Sequence, residues 1–151
     1  MSQKAYEMAA VIGTIDPQAS ITSTEKFTDV IDMSKWDQVL FVFMLGDCGD
    51  DDIVCRVVTC DSGGTNAAAF KTADTLSADA SANDNDQVVI SVSAEDLAGG
   101  SSNANRYVKG GIVAATNTII AACLAIGLVP KHGPANDNDL ASVVEIEDDA
   151  D

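Results

Sequence analysis

Residues 37–47 read DQVLFVFMLGD, and this stretch limits the fold more than any other. Every residue from Val39 to Leu45 is apolar, most are β-branched or aromatic, and Gly46 ends the run. Its length suits a strand and is short for a helix. Both alternating faces are apolar, so burial on both sides is expected. The next apolar run is IVCRVVTCD, 53–61. In a strand, Ile53, Cys55, Val57 and Thr59 share one face, and Val54, Arg56, Val58 and Cys60 share the other. With GDCGDD between them, the two runs are expected to pair as a hairpin whose tip is 47–52.

The remaining chain repeats the pattern of short strands and turns. AAVIGTID (9–16) is read as a short strand or an extended arm, broken by Pro17, and ASITSTEKF (19–27) as a second short strand. Residues 62–86 form a long polar connection in which AAAFKTADTL makes a short helix or a weak strand. QVVISVS (87–93) is a strand, and SAEDL (93–97) a single turn that Ser93 caps. RYVKGGIVAA (106–115) is a strand whose Gly110-Gly111 pair signals a bulge or a close backbone approach. After the TNT turn (116–118), IIAACLAIGLVP (119–130) is read as a buried strand stopped by Pro130, although its alanines would also tolerate a helix. No helical periodicity is sustained and no βαβ alternation occurs. The expected fold is all-β: an antiparallel β-sandwich or jelly-roll-like barrel of about seven to eight strands with long loops. Its expected organisation is an N-terminal arm with short strands (1–26), a sandwich domain (27–146) and an acidic C-terminal tail (147–151).

Charge excludes several function classes. The 151 residues include 24 acidic and 8 basic ones, a formal net charge of −16. Phosphate contact needs clustered Lys and Arg, and the basic residues here are scattered, so nucleic-acid binding is not expected. An anionic membrane surface would repel the chain. The apolar stretch 119–129 is too short to span a bilayer, and MSQKAYEMAAVIGTID lacks a signal-peptide core. Synthesis in the cytoplasm and reduced thiols are the expectation.

GDCGDDDIVC (46–55) gathers candidate ligands of both kinds. Asp47, Asp50, Asp51 and Asp52 are hard oxygen donors, but they lack the D-x-D-x-D-G spacing that wraps a calcium ion. They are expected to be turn residues that at most capture an adventitious cation. Cys48, Cys55 and Cys60 have no C-x2–4-C pair among them, and Cys123 is far along the chain. Cys55 and Cys60 fall on opposite strand faces, which argues against a shared metal or a disulfide; buried apolar packing is expected instead. His132, in PKHGP, is the one histidine, with no nucleophile near it in sequence. No phosphate-binding or dinucleotide fingerprint is present. No catalytic, cofactor-binding or metal residue is assigned, and neither enzymatic activity nor a cofactor is expected.

FTDVIDMSKWDQVLFVFMLGD (27–47), DNDQVVISVSAEDL (84–97) and GPANDNDLASVVEI (133–146) resemble small structural proteins from the head-gene regions of tailed bacteriophages. Together these stretches cover about a third of the chain. The resemblance implies a minor capsid component, a decoration or cement protein on the outer shell. Its implied partners are the major capsid protein and further copies of itself, as a dimer or trimer, and its location is the virion exterior. A head–tail joining or tail protein is the alternative within the particle. A β-sandwich module for glycans or calcium is the alternative of another class. Segments 1–26 and 62–86 are the expected contact elements. Within DMSKWDQ, Asp32 and Ser34 suit a turn, and Trp36 is expected to pack into the core or to anchor an interface.

Overall fold

Val39, Phe41, Phe43 and Leu45 point into one closed interior, while Leu40, Val42 and Met44 alternate with them and are only half-buried. The computed structural model describes residues 5–76, 83–98 and 106–133, with Ala135, Asn138, Asp139, Ala141 and Val143. The acidic tail 147–151 and parts of the segments 1–26 and 62–86 lie outside those residues. In chain order the elements are α1 (Ala5–Met8), β1 (Ala9–Ile21), β2 (Lys26–Phe27), β3 (Ile31–Asp32), β4 (Trp36–Leu45) and β5 (Ile53–Cys60). They continue with β6 (Ala68–Thr72), β7 (Gln87–Ser93), α2 (Ala94–Ala98), β8 (Tyr107–Ala114) and β9 (Ile119–Pro130).

Two antiparallel sheets pack face to face. One has the order β1-β9-β4-β7; the other has β2-β8-β5-β6, with β3 also on β8. The fold is therefore the expected all-β sandwich. Among the described residues it has nine strands rather than seven or eight, because β2 and β3 are two-residue pairings too short to leave a sequence pattern. The interior is filled by Trp36, Phe41 and Phe43 from one sheet and Ile53, Val57, Val108 and Ile112 from the other. Each fully buried side chain of this size contributes about 2–3 kcal/mol.

The expected hairpin of 37–47 with 53–61 does not form. β4 pairs with β7 and β9, and β5 pairs with β6 and β8 in the opposite sheet. Residues 46–52 are thus an arch between sheets. An arch and a hairpin loop have the same local composition, so only long-range pairing decides between them. β8 and β9 are joined by a second arch, 115–118, at the same end of the sandwich. The true hairpin is β5–β6, which settles AAAFKTADTL as a weak strand over 68–72.

Residues 9–21 are not a free arm. They form β1, which pairs with β9 from Ala9↔Leu128 to Ile21↔Ile119. Pro17 does not end the strand. β1 is an edge strand, the register shifts between Ile15 and Gln18, and a missing N–H is tolerated at such a place. Beyond it, Asp139 N–H donates to Val11 O and Val11 N–H donates to Asn138 Oδ1. The other edge strand, β7, meets the facing sheet through Lys71, whose ammonium donates to Ser91 O at 2.8 Å and to Asp96 at 2.7 Å.

The Gly110-Gly111 pair is a double close approach rather than a bulge. A Cβ on Gly110 would lie 2.7 Å from Phe41, and one on Gly111 would lie 2.8 Å from Phe27. Gly110 thus admits the core aromatics, and Gly111 lets Phe27 lie across the outside of β8. The SAEDL turn forms as α2, with Asp96 N–H donating to Ser93 Oγ at 3.1 Å.

Candidate functional site

The acid-rich end of the sandwich is where candidate ligand residues gather. Three connections meet there: the arch 46–52, the arch 115–118 and the turn 83–86. Their main chains are bonded directly. Gly46 N–H donates to Ile120 O, Ile120 N–H to Asp47 O, Ala115 N–H to Asp52 O and Asn85 N–H to Gly46 O.

Two carboxylates complete the joint. Asp51 is 3% exposed. Thr116 N–H lies 3.0 Å from both of its oxygens, Thr116 Oγ1 donates to Oδ1 at 2.9 Å, and Asn117 N–H donates to Oδ2 at 2.8 Å. Asp84 Oδ1 accepts from Cys48 N–H at 2.8 Å. Asp47 accepts within its own turn, from Gly49 N–H at 3.2 Å. Asp50 and Asp52 face solvent. The aspartates of the GDCGDDD stretch therefore point in separate directions. The most buried of them has its oxygens aimed at fixed N–H and O–H donors, as a structural carboxylate does.

Burial raises the Asp51 carboxyl, but the donors from Thr116 and Asn117 outweigh it and hold the group below its ordinary value. A carboxylate depressed in the folded state stabilises fully above its unfolded pKa, about 3.9. That contribution is lost as the pH falls through the lower folded value. Denaturant titrations from pH 6 to pH 2 are therefore expected to show a loss of stability below about pH 4. The loss should be smaller in Asp51→Asn, which has no charge to surrender. Parallel curves for the two proteins would contradict the assignment.

All four cysteines are free and buried. Cys55 comes close enough in the interior to feel Cys48, and Cys123 to feel Cys55, which their sequence spacing hides. Burial pushes the Cys55 and Cys123 thiols up to about 12. Burial, then Asp84, Asp47 and Asp86, pushes Cys48 up to about 11. Cys60 lies elsewhere, beside Lys109 and Asp61, and is raised chiefly by burial. Such thiols are poor nucleophiles. An aromatic disulfide reagent at pH 8 is expected to label the native chain negligibly over minutes and to label all four thiols in denaturant. Rapid labelling of one thiol in the native chain would expose an error in this packing. Among the described residues, no three His, Cys, Asp or Glu side chains are placed to hold a metal ion.

The other candidates are dispersed. His132 is exposed in the turn after β9, away from the buried thiols. Several of the described basic groups are spent on separate partners. Arg56 makes a two-pronged bridge to Glu25 at 2.7 and 2.5 Å, and Arg106 meets Asp32 at 2.7 Å. Lys109 bonds Gly64 O at 2.7 Å and lies 4.0 Å over the Phe27 ring. No stripe for a polyanion results from these groups. Asp32 also forms the expected turn, accepting from Ser34 N–H at 2.9 Å. A cleft of about 260 Å³ lies between Met33, Leu97, Arg106 and Lys131. Its cations already face Asp32 and Asp37. Trp36 is 2% exposed and packs in the core, stacked on Gly127. Among the described residues, no helix is long and apolar enough to cross a membrane.

Asp51 is the residue that local sequence reasoning misses. Its donors are 65 and 66 positions away, so no spacing rule marks it apart from its neighbours.

No family model matches the chain, and no curated protein matches it significantly. A solved chain from work titled "Bacillus endospore appendages form a novel family of disulfide-linked pili" is similar over 85% of this chain and 96% of its own. The identity is 14% and the TM-score 0.45, so the likeness is loose.

Proposed function

We propose that the chain is a non-enzymatic structural protein of a tailed-bacteriophage virion, seated on the outside of the capsid and stabilising it. The observation that carries this reading is the use made of its aspartates. Asp51, Asp84 and Asp61 each accept loop N–H groups, Asp61 from Gly63 and Thr65. Carboxylates that acid–base chemistry or a hard cation would employ instead brace the connections between strands. A sandwich braced in this way suits a part that must resist mechanical stress. The resemblance at 27–47, 84–97 and 133–146 supplies the virion context. The charge of −16 favours a place away from the packaged genome.

The test is to compare particles made with and without the chain. Hundreds of copies per particle, and earlier opening on heating or osmotic shock without it, support decoration. About six to twelve copies would move it to a connector or neck ring, whose closed symmetry fixes a small number. Absence from particles, or equal particle stability with and without it, would overturn the reading.

A further inference from the structure

β1 is an edge strand, and chain from beyond β9 closes its outer side. Ala135 N–H donates to Glu7 O at 2.8 Å, and Asp139 N–H donates to Val11 O at 2.7 Å. Val11 N–H donates to Asn138 Oδ1 at 3.1 Å. Ala135 is buried. These contacts make a strap along the edge. β7, the other edge of the sheet, is guarded by side chains instead: Lys71 on Ser91 O and Asp96 on Ser93 N–H.

β9 lies on the inner side of β1, so the chain must turn back past the end of β1 to reach the outer side. Val129 and Gly133 make that return. Gly133 sits at φ +79°, which glycine adopts freely. Val129 sits at φ 53°, a left-handed backbone that a β-branched residue holds only under strain. Its neighbour Leu128 is the last residue of β9 to pair with β1, so the strain lies where the chain parts from that strand. The strap has a cost of its own. Asp139 Oδ2 is buried and has no hydrogen-bond partner among the described residues.

We infer that the strap is exchangeable: the segment from Ala135 to Asp139 of one copy closes the β1 edge of a second copy, and the reverse, giving a two-fold dimer. The closed contacts select the occupant. The same segment of another copy repeats them bond for bond and needs no new surface, which makes such exchange a low-cost route to a dimer. The sandwich stays folded. β9 keeps its pairing with β1 and β4, and Lys131 N–H keeps its bond to Lys35 O. Only the return changes, and a strained short hinge favours that outcome. The tether opposes it. A short tether holds its strap at an effective concentration of the order of millimolar, so the exchanged dimer gains ground as the chain approaches that concentration. The inference stands without the virion reading, since it concerns the chain alone in solution.

Sedimentation of the purified full chain, stored from low micromolar to millimolar concentration at moderate salt, tests it. A dimer that grows with concentration is expected. Val129→Gly removes strain from the closed return and should weaken the dimer. Gly133→Val puts strain into the same return and should strengthen it. A left-handed non-glycine residue costs about a factor of ten and a dimer has two hinges, so each variant should move the dimerisation constant about a hundredfold, in opposite directions. Val129 is 54% exposed, and a Cβ on Gly133 meets nothing within 4 Å, so both variants should keep the wild-type circular dichroism. The amides of Val11 and Asp139 should be protected alike in monomer and dimer, because both states make the same bonds. A monomer at every concentration, in wild type and in Gly133→Val, would overturn the inference. So would a dimer that the two variants move in the same direction or not at all, or one in which Val11 and Asp139 exchange freely.

Discussion

Asp51→Ala is expected to lower stability by about 3–4 kcal/mol, a drop of roughly 10 °C in melting temperature for a chain of this size. The substitution removes the acceptor of Thr116 N–H, Thr116 Oγ1 and Asn117 N–H at one stroke. Hydrogen bonds to a charged group are each worth about 1.5–3 kcal/mol net, and a donor stranded without water costs a further 1–3. Some relief comes from solvent, because Thr116 and Asn117 lie on an exposed arch. Asp51→Asn should fall between the two, since its amide offers one oxygen and turns an N–H₂ toward donors. Amide exchange gives the local readout. Thr116 and Asn117 should exchange far faster in Asp51→Ala, while Phe41 and Phe43 remain protected. A loss under about 1 kcal/mol, with the arch amides unchanged, would show that the arches are held by their main-chain bonds alone.

Gly127→Ala is expected to cost about 1–3 kcal/mol, and Gly127→Val more, because the space above Gly127 is already filled. A Cβ there would stand 2.5–2.7 Å from three atoms of the Trp36 indole. Those atoms belong to a rigid bicycle, wedged where β4 begins to pair with β9 at Trp36↔Pro130. The ring cannot rotate away as a flexible side chain would, so it must lift or push the strands apart. Trp36 is the sole tryptophan, which makes emission a direct report on this contact. The substitution should shift the emission to longer wavelength as the indole meets water. Trp36→Leu combined with Gly127→Ala should cost less than the two single changes added together, because the clash is a property of the pair. Strict additivity, with unchanged emission in Gly127→Ala, would sink the explanation.

The fold was legible because the apolar runs have strand length and end at turn residues. Val39 to Leu45 and Ile53 to Cys60 are too short for helices, while the alanines of Ile119 to Pro130 suited either element and only its pairing with β1 and β4 makes it a strand. The pairing of those strands was not legible. The arch at 46–52 and a hairpin tip draw on the same Gly and Asp residues, and the choice lies with β7 and β9, which claim both edges of β4. Pro17 misled for a related reason: its missing N–H is harmful only inside a sheet, and β1 lies at an edge. At the acidic end, residue types announced turn chemistry but not which aspartate carries the joint. Asp51 differs from Asp50 and Asp52 only in what the other arch places before it. The nearness of Cys55 to Cys48, and of Cys123 to Cys55, is likewise a product of sheet stacking, not of spacing.

The strand order also governs how the chain reaches this state. β1 pairs only with β9 within its sheet, so the first long strand waits for the last before it can join that sheet. Neither β4–β5 nor β8–β9 offers an early local pair; the β5–β6 hairpin does. A topology rich in such distant closures folds in milliseconds to seconds rather than microseconds. Through that interval the apolar run of β4 lacks its cover, and unpaired chains of this kind tend to aggregate. The acids that look superfluous on the finished surface then have a use in time: nascent chains carrying −16 keep one another at a distance until β9 arrives.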